Sequence, residues 1–241
     1  MRVNLDPVPS SALAIVAHPD DAEFQCGATL AKWAAAGCVV HHLVLTDGSK
    51  GSWSVDEDTR ALVATRQVEQ RAAAAALGAT GQQVFLRNVD GELEHRPAQV
   101  AEVCRIIREL RPDVVLGHDP WRRWRLHPDH RAAGWLCTDG VVAARDPHFF
   151  PDQGVAHHRP SAILLFECEE PDLAEDVTGH VDTKIAALLE HTSQFVTTHD
   201  ITDVTDAAQV ARFRRHVEDR LATNGAQVGV RHAELFKVIT P

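Results

Sequence analysis

No two of the five cysteines in this 241-residue chain stand as a CxxC pair, and Cys26, Cys38, Cys104, Cys137 and Cys168 are scattered through apolar or helical stretches. An odd number at such spacings argues against a disulfide framework and a thiolate zinc site, and the expectation is reduced core thiols in a cytoplasmic protein. GxGxxG is absent as well. The only glycine near the turn after the first long apolar run is Gly27, so the phosphate-cradling loop of a nucleotide-binding module is missing. Met1–Pro9 carries one arginine and no apolar block of signal-peptide length, and no later stretch approaches a membrane span. Positive charge is in short supply: 24 Lys and Arg face 34 Asp and Glu, for a formal net charge of -10. Nucleic acid and anionic membrane both require a cationic face, so this balance argues against either partner and for a small-molecule substrate.

The chain does contain a regular alternation. Apolar, β-branched runs at 12–17, 39–46, 83–86, 114–117 and 162–166 are separated by helical patterns at 27–36, 59–77, 97–110, 128–144, 183–190 and 207–223. Strands that alternate with helices imply an α/β fold, a mainly parallel sheet with helices on both faces. No Gly/Ser linker, repeat or change of composition divides the chain, so a single domain over 1–241 is expected, and 44% apolar residues suffice for a substantial core. Three polar connections are long for such a domain, Asp47–Asp58, Asp119–Leu126 and Arg145–Pro160, and loops of that size often wall a site.

Two short clusters carry the chemistry. The first apolar run ends in Ala17, His18, Pro19, Asp20, Asp21, and Pro19 excludes a regular helix across the motif. A turn there lets an imidazole and a carboxylate converge on one cation. The second cluster, His127, Pro128, Asp129, His130, follows the run ending at Gly117 and opens a helix. Parallel strands present their carboxyl ends on one edge, where the two clusters can meet. A His, an Asp and a second His leave a coordination position for water, as catalytic rather than structural zinc sites do. Asp20 is then the general base, and His127 a proton donor or oxyanion partner with Asp129 orienting it. Each cluster taken alone has a plainer explanation: His-Pro-Asp-Asp as a capped turn, and His127–His130 as a helix N-cap with a first-turn acid. His41, His42, His157 and His158 are taken as strand or surface residues.

The stretch Ala17–Leu30 resembles the signature of the PIG-L/LmbE family of zinc-dependent N-acetylglucosaminyl deacetylases, and His127–His130 resembles that family's second metal motif. Thr46–Gly48, Arg66 with Glu69, Asp90–Leu93, Lys184, His191, Ser193, Gln194 and Ala233–Phe236 are similar too, so the resemblance covers almost the whole chain. It implies a Rossmann-like fold, often oligomeric, with Zn2+ bound by His18, Asp21 and His130. It also implies Asp20 as base, His127 at the oxyanion or leaving amine, Asp129 in support, and hydrolysis of an N-acetyl amide on an amino sugar.

Some family members carry a tyrosine just upstream of the second motif, but this chain has none and places Trp121–Arg125 in that loop. Trp124 and Arg125 are candidate substrate contacts, because indole rings stack on sugar faces and guanidinium groups fork onto acids; a subunit interface explains the loop equally well. Trp53 has the same two explanations. Arg66 is either a substrate contact or half of a surface i, i+3 pair with Glu69. The rivals to N-deacetylation are an amidase acting on a larger acyl group of a thiol conjugate or antibiotic intermediate, a non-catalytic metal-binding partner subunit, and a nucleotide-binding module.

Overall fold

Small and β-branched apolar residues dominate the central strands, and their alternation decides which side of the sheet each side chain faces. In strand β2 (Ser11–Val16), Ala12, Ala14 and Val16 enter one core cluster while Leu13 and Ile15 enter another. The first cluster is covered by helices α1 (Asp21–Ala35), α2 (Thr59–Ala76) and α5 (Val181–Leu189) through Leu30, Trp33, Ala73 and Ala187. The second is covered by α3 (Pro97–Leu110) and α4 (Pro128–Arg145) through Val103, Ile107, Leu136 and Val141. Both faces of β2 are therefore dry, as its unbroken apolar run requires.

The computed structural model describes residues 1–241. Its remaining strands are β1 (Arg2–Val3), β3 (Val39–Thr46), β4 (Gln83–Asn88), β5 (Val114–His118), β6 (Ala162–Phe166), β7 (Leu173–Asp176) and β8 (Ala233–Ile239). They form one eight-stranded sheet in the order β1-β7-β8-β6-β5-β2-β3-β4. All pairings are parallel except those of β8, which runs antiparallel to β6 and β7. Helix α6 (Ala207–Ala226) packs near β8, and no helix is long and apolar enough to cross a membrane.

The five strands and six helices expected from periodicity are present, several of them with shifted ends. β1, β7 and β8 were not expected from the pattern. α1 begins at Asp21, six residues before the expected start at Gly27, so Asp21 sits in the first turn of a helix and not in a loop. The discrepancy has a cause at Cys26, where φ -139° breaks the helix into two segments. Lys184 Nζ donates to Phe24 O at the end of the first segment (2.8 Å), and Glu234 accepts from Ala28 N and Thr29 N at the start of the second (3.2 and 2.7 Å). Lys184 and Glu234 are themselves paired at 2.6 Å. One buried ion pair thus satisfies the backbone groups that the kink releases and holds the one-turn segment carrying Asp21.

β2 connects to β3 on one side through α1, and the chain later returns to lay β5 on the other side of β2. The crevice beyond the carboxyl ends of β2 and β5 is the switch point where open α/β sheets bind ligands. Both sequence clusters lie there.

Candidate metal centre and active site

His18, Asp21 and His130 come together from 112 residues of sequence separation. His18 Nδ1 and His130 Nε2 face each other at 3.3 Å, and Asp21 lies 3.3 Å from the first through Oδ2 and 3.2 Å from the second through Oδ1. Donors at about 2.0–2.1 Å from a tetrahedral zinc are separated by about 3.3 Å, which is the spacing seen. The proton of His18 is on the opposite ring nitrogen, because Nε2 meets two acceptor-only carboxylates, Asp90 (3.1 Å) and Asp129 (3.2 Å). That leaves the Nδ1 lone pair aimed at the centre, the usual arrangement of a metal-ligating imidazole. The residues present therefore fit a divalent ion.

Asp129 carries a correction. Sequence reasoning made it the orienting partner of His127, but its carboxylate meets His18 and accepts from Gly91 N (2.6 Å) and Leu93 N (3.2 Å). Asp129 therefore orients His18, a candidate metal ligand. His127 does cap α4, its Nδ1 accepting from Asp129 N at 3.3 Å, and its ring lies 4.6 Å from that of His18 and 4.8 Å from that of His130. Burial and the neighbouring His18 and His130 hold His127 below its ordinary pKa. A neutral His127 whose Nδ1 accepts a hydrogen bond keeps its proton on Nε2, free to donate into the site.

Asp20 is the N-cap of α1, yet its side chain accepts none of that helix's N–H groups. A capped turn is thus not what the motif builds. The residue sits at φ 96°, a conformation that costs energy in any residue with a Cβ, and contacts from α2 hold it there. Arg66 donates through Nη2 to Pro19 O (2.7 Å) and Asp20 Oδ2 (3.3 Å), and through Nη1 to Gly48 O (2.9 Å). A Cβ on Gly48, which has φ 67°, would come within 2.7 Å of Arg66 Nη1, so the loop passes that close only as glycine. Arg66 and Glu69 are not a surface pair. They are 3% and 6% exposed, and Glu69 accepts instead from Thr192 and Ser193.

The two adjacent aspartates have opposite electrostatics. Burial pushes Asp20 up to about 6, with Arg66 opposing and Asp21 adding to the rise. Asp21 is equally buried, but His130 and His118 outweigh the desolvation and hold it well below the usual carboxylate range. Neighbouring carboxyl groups whose environments push them apart are suited to different tasks.

Sequence reasoning missed His118, Glu167 and the role of Asp90. His118 closes β5, fully buried, with Nε2 3.4 Å from Asp21 Oδ2 and Nδ1 3.4 Å from Glu167 Oε2, and its ring stacks on His130 at 4.3 Å. The signal was available: an apolar strand that ends in a histidine is the pattern that singled out His18.

The floor of the site opens into a cavity of about 390 Å³ lined by Asp20, Asp21, Trp53, Arg66, His127 and His130, among others. His127 and His130 also line a neighbouring cavity of about 920 Å³, where Trp124, Arg125 and Arg123 stand. The loops 47–58 and 119–126 thus wall the site as expected. The third long loop does not: Gln153 and His158 bind Ala101, Arg108 and Pro112 near α3. Trp124 is 87% exposed on the rim, and Trp53 stands in the wall of the smaller cavity. Arg125 is engaged at the floor of the larger one, with Nη2 2.5 Å from Glu167 Oε2 and Nη1 3.0 Å from His130 Nδ1. His41 and His42 are buried strand residues, and His42 lies 3.8 Å from Glu23.

The family described as PIG-L: GlcNAc-PI de-N-acetylase matches residues 13–141, more than half of the chain and both histidine clusters. The chain belongs to the PIG-L family. Its similarity to the family's diacetylchitobiose deacetylase from Thermococcus kodakarensis is 33% identity over 186 residues, 76% of this chain and 69% of that protein. The solved N,N'-diacetylchitobiose deacetylase from Pyrococcus horikoshii superposes with a TM-score of 0.87 at 26% identity, covering 98% of this chain and 87% of that one. The relatives also include a 4-oxalmesaconate hydratase from Pseudomonas putida, 27% identical over 200 residues, 77% of this chain and 74% of that protein. The residues matched by the family include the donor set His18, Asp21 and His130.

Proposed function

We propose that this PIG-L family member is a zinc-dependent hydrolase that removes the acetyl group from an N-acetylglucosamine-like unit of a small glycoside. The observation that carries the proposal is the donor trio of His18, Asp21 and His130 beside a carboxylate, Asp20, that takes no part in capping its own helix. The deacetylase relatives supply the substrate class.

Zinc held by His18, Asp21 and His130 would supply Lewis acidity, polarising an acyl carbonyl and lowering the pKa of a coordinated water to about 7. Asp20, fixed by Arg66, removes the proton from the water that attacks the acetyl carbon. His127 donates from Nε2 to the oxygen that gains charge in the tetrahedral adduct. The carboxylic proton on Asp20 then passes to the departing amine, so acetate and a free amino sugar leave and Asp20 is again a carboxylate. Asp90 and Asp129 keep the His18 ring in one orientation throughout. Trp124 on the rim and Trp53 in the cavity wall present apolar faces to a sugar ring. Arg66 holds Asp20 and also lines the cavity, where it can reach a substrate.

The test is zinc analysis joined to acetate release from N-acetylglucosamine, diacetylchitobiose and longer-acyl glucosaminides, with 4-oxalmesaconate hydration measured in parallel. Asp20→Asn should keep one zinc per chain and lose turnover about 100- to 10,000-fold, as removal of an essential base does. Full activity in that variant removes Asp20 from the mechanism. Faster turnover of longer acyl groups or of 4-oxalmesaconate would replace the substrate assignment.

A further inference from the structure

Behind Asp20 lies a polar cluster that the mechanism above does not use. Glu23, on the first turn of α1, is fully buried, with His191 Nε2 at 3.4 Å from Oε2 and His42 Nε2 at 3.8 Å from Oε1. Gln70 spans the gap between this carboxylate and Asp20. Its Nε2 donates to Glu23 Oε1 at 2.9 Å, and its Oε1 accepts from Asp20 N at 3.0 Å.

The orientation of the Gln70 amide is not free. A carboxylate only accepts, so the NH2 group must face Glu23 and the carbonyl oxygen must face Asp20. Rotated by half a turn, the amide would set oxygen against oxygen and N–H against N–H in a buried site, and both bonds would be lost. Glu23 therefore dictates that an acceptor stands at the Asp20 N–H. That N–H belongs to the residue at φ 96°, the conformation most in need of an external hold. Arg66, one helical turn earlier on the same face of α2, takes Pro19 O and the Asp20 carboxylate.

We infer that Gln70, oriented by Glu23, is a positioning residue that fixes the backbone turn of Asp20 and so aims the base at its substrate. The inference rests on the reading of Asp20 as general base. Gln70 is fully buried and does not line the cavity that holds Asp20, so it acts through Asp20 and not on the substrate.

The experiment compares Gln70→Leu, Gln70→Asn, the reciprocal swap Glu23→Gln/Gln70→Glu, and Asp20→Asn in the zinc-loaded protein, measuring kcat, KM, zinc content and far-UV circular dichroism. Gln70→Leu should lower kcat about 10- to 100-fold, the loss that a misplacement of about 1 Å produces, with KM and zinc stoichiometry unchanged. Gln70→Asn keeps the amide but is one methylene too short to reach both partners, so it should lose kcat as well; it stands in for Gln70→Leu if that chain does not fold. The swap returns an acceptor to Asp20 N and a donor to its partner, and should bring kcat back to within about fivefold of the parent. A purely structural role would not produce that rescue. Folded, zinc-loaded Gln70 variants that keep the parent kcat while Asp20→Asn is inactive would overturn the inference, as would a folded swap that restores nothing. An active Asp20→Asn instead overturns the base assignment, and the bridge's purpose with it.

Discussion

Lys184→Met removes the only ammonium that reaches Glu234, and its cost can be worked from the contacts. In the parent, Lys184 is 3% exposed and paired with a carboxylate that is 2% exposed. Burial lowers the Lys184 pKa while Glu234 opposes, so the pair is held together against desolvation. Methionine fills similar space without charge and leaves two losses behind. Phe24 O, at the end of the first segment of α1, loses a donor at 2.8 Å, and Glu234 keeps only the N–H groups of Ala28 and Thr29. Breaking a buried pair from one side costs about 3–5 kcal/mol. For a chain of this size each kcal/mol moves the melting temperature by about 2–4 °C, so a fall of about 6–20 °C is expected. Adding Glu234→Gln should recover part of the loss, because it removes the stranded charge. Urea titration and thermal melts followed by circular dichroism measure both effects. A single variant within about 1 kcal/mol of the parent, or a double variant no more stable than Lys184→Met, would falsify this account of the helix break.

Asp129→Asn should weaken zinc binding about 10- to 100-fold in chelator competition, because it replaces a carboxylate that orients His18; unchanged affinity would show that Asp90 orients the ring alone. Arg125→Gln should tighten zinc binding in the same assay. A guanidinium only donates, so its contact with His130 Nδ1 places the proton of neutral His130 on Nε2, the atom facing the metal centre, and that contact must give way before an ion enters. Equal or weaker affinity would refute that competition. Chelation should abolish acetate release while leaving far-UV circular dichroism intact, since the core clusters include none of His18, Asp21 and His130; added zinc should restore activity, and unfolding on chelation would contradict the point.

Residues with a local signature were legible before the fold was known. The strands at 39–46 and 162–166 have the expected bounds because each is a largely apolar run with turn residues or helix on either side. β8 escaped notice because Glu234 and Lys237 interrupt its apolar residues at a spacing of three, which breaks the period of two and resembles a short helix in pattern. His18, Asp20, Asp21, His127 and His130 were legible as polar groups at the end of a buried run and the start of a helix. Arg66 was legible as a candidate but its direction was not, because helical position alone does not say which way a guanidinium faces; burial under the Gly48 loop decided it.

The sequence by itself determined which residues could do chemistry and that the strands would bring them to one edge. Its two adjacent aspartates were distinguishable as candidates for different tasks. Tertiary structure alone decided who meets whom: Asp129 with His18 rather than His127, His118 with Glu167 and Asp21, Gln70 between Asp20 and Glu23, Lys184 with Glu234 across the break in α1. The physical reason is one of range. Periodicity and turn chemistry act over a few residues, whereas these contacts join positions from 47 to 206 apart in the chain, taking Asp90 with His18 and Ala28 with Glu234 among them as well. Such contacts depend on the order in which the strands are laid beside β2 and on the desolvated space between its covering helices.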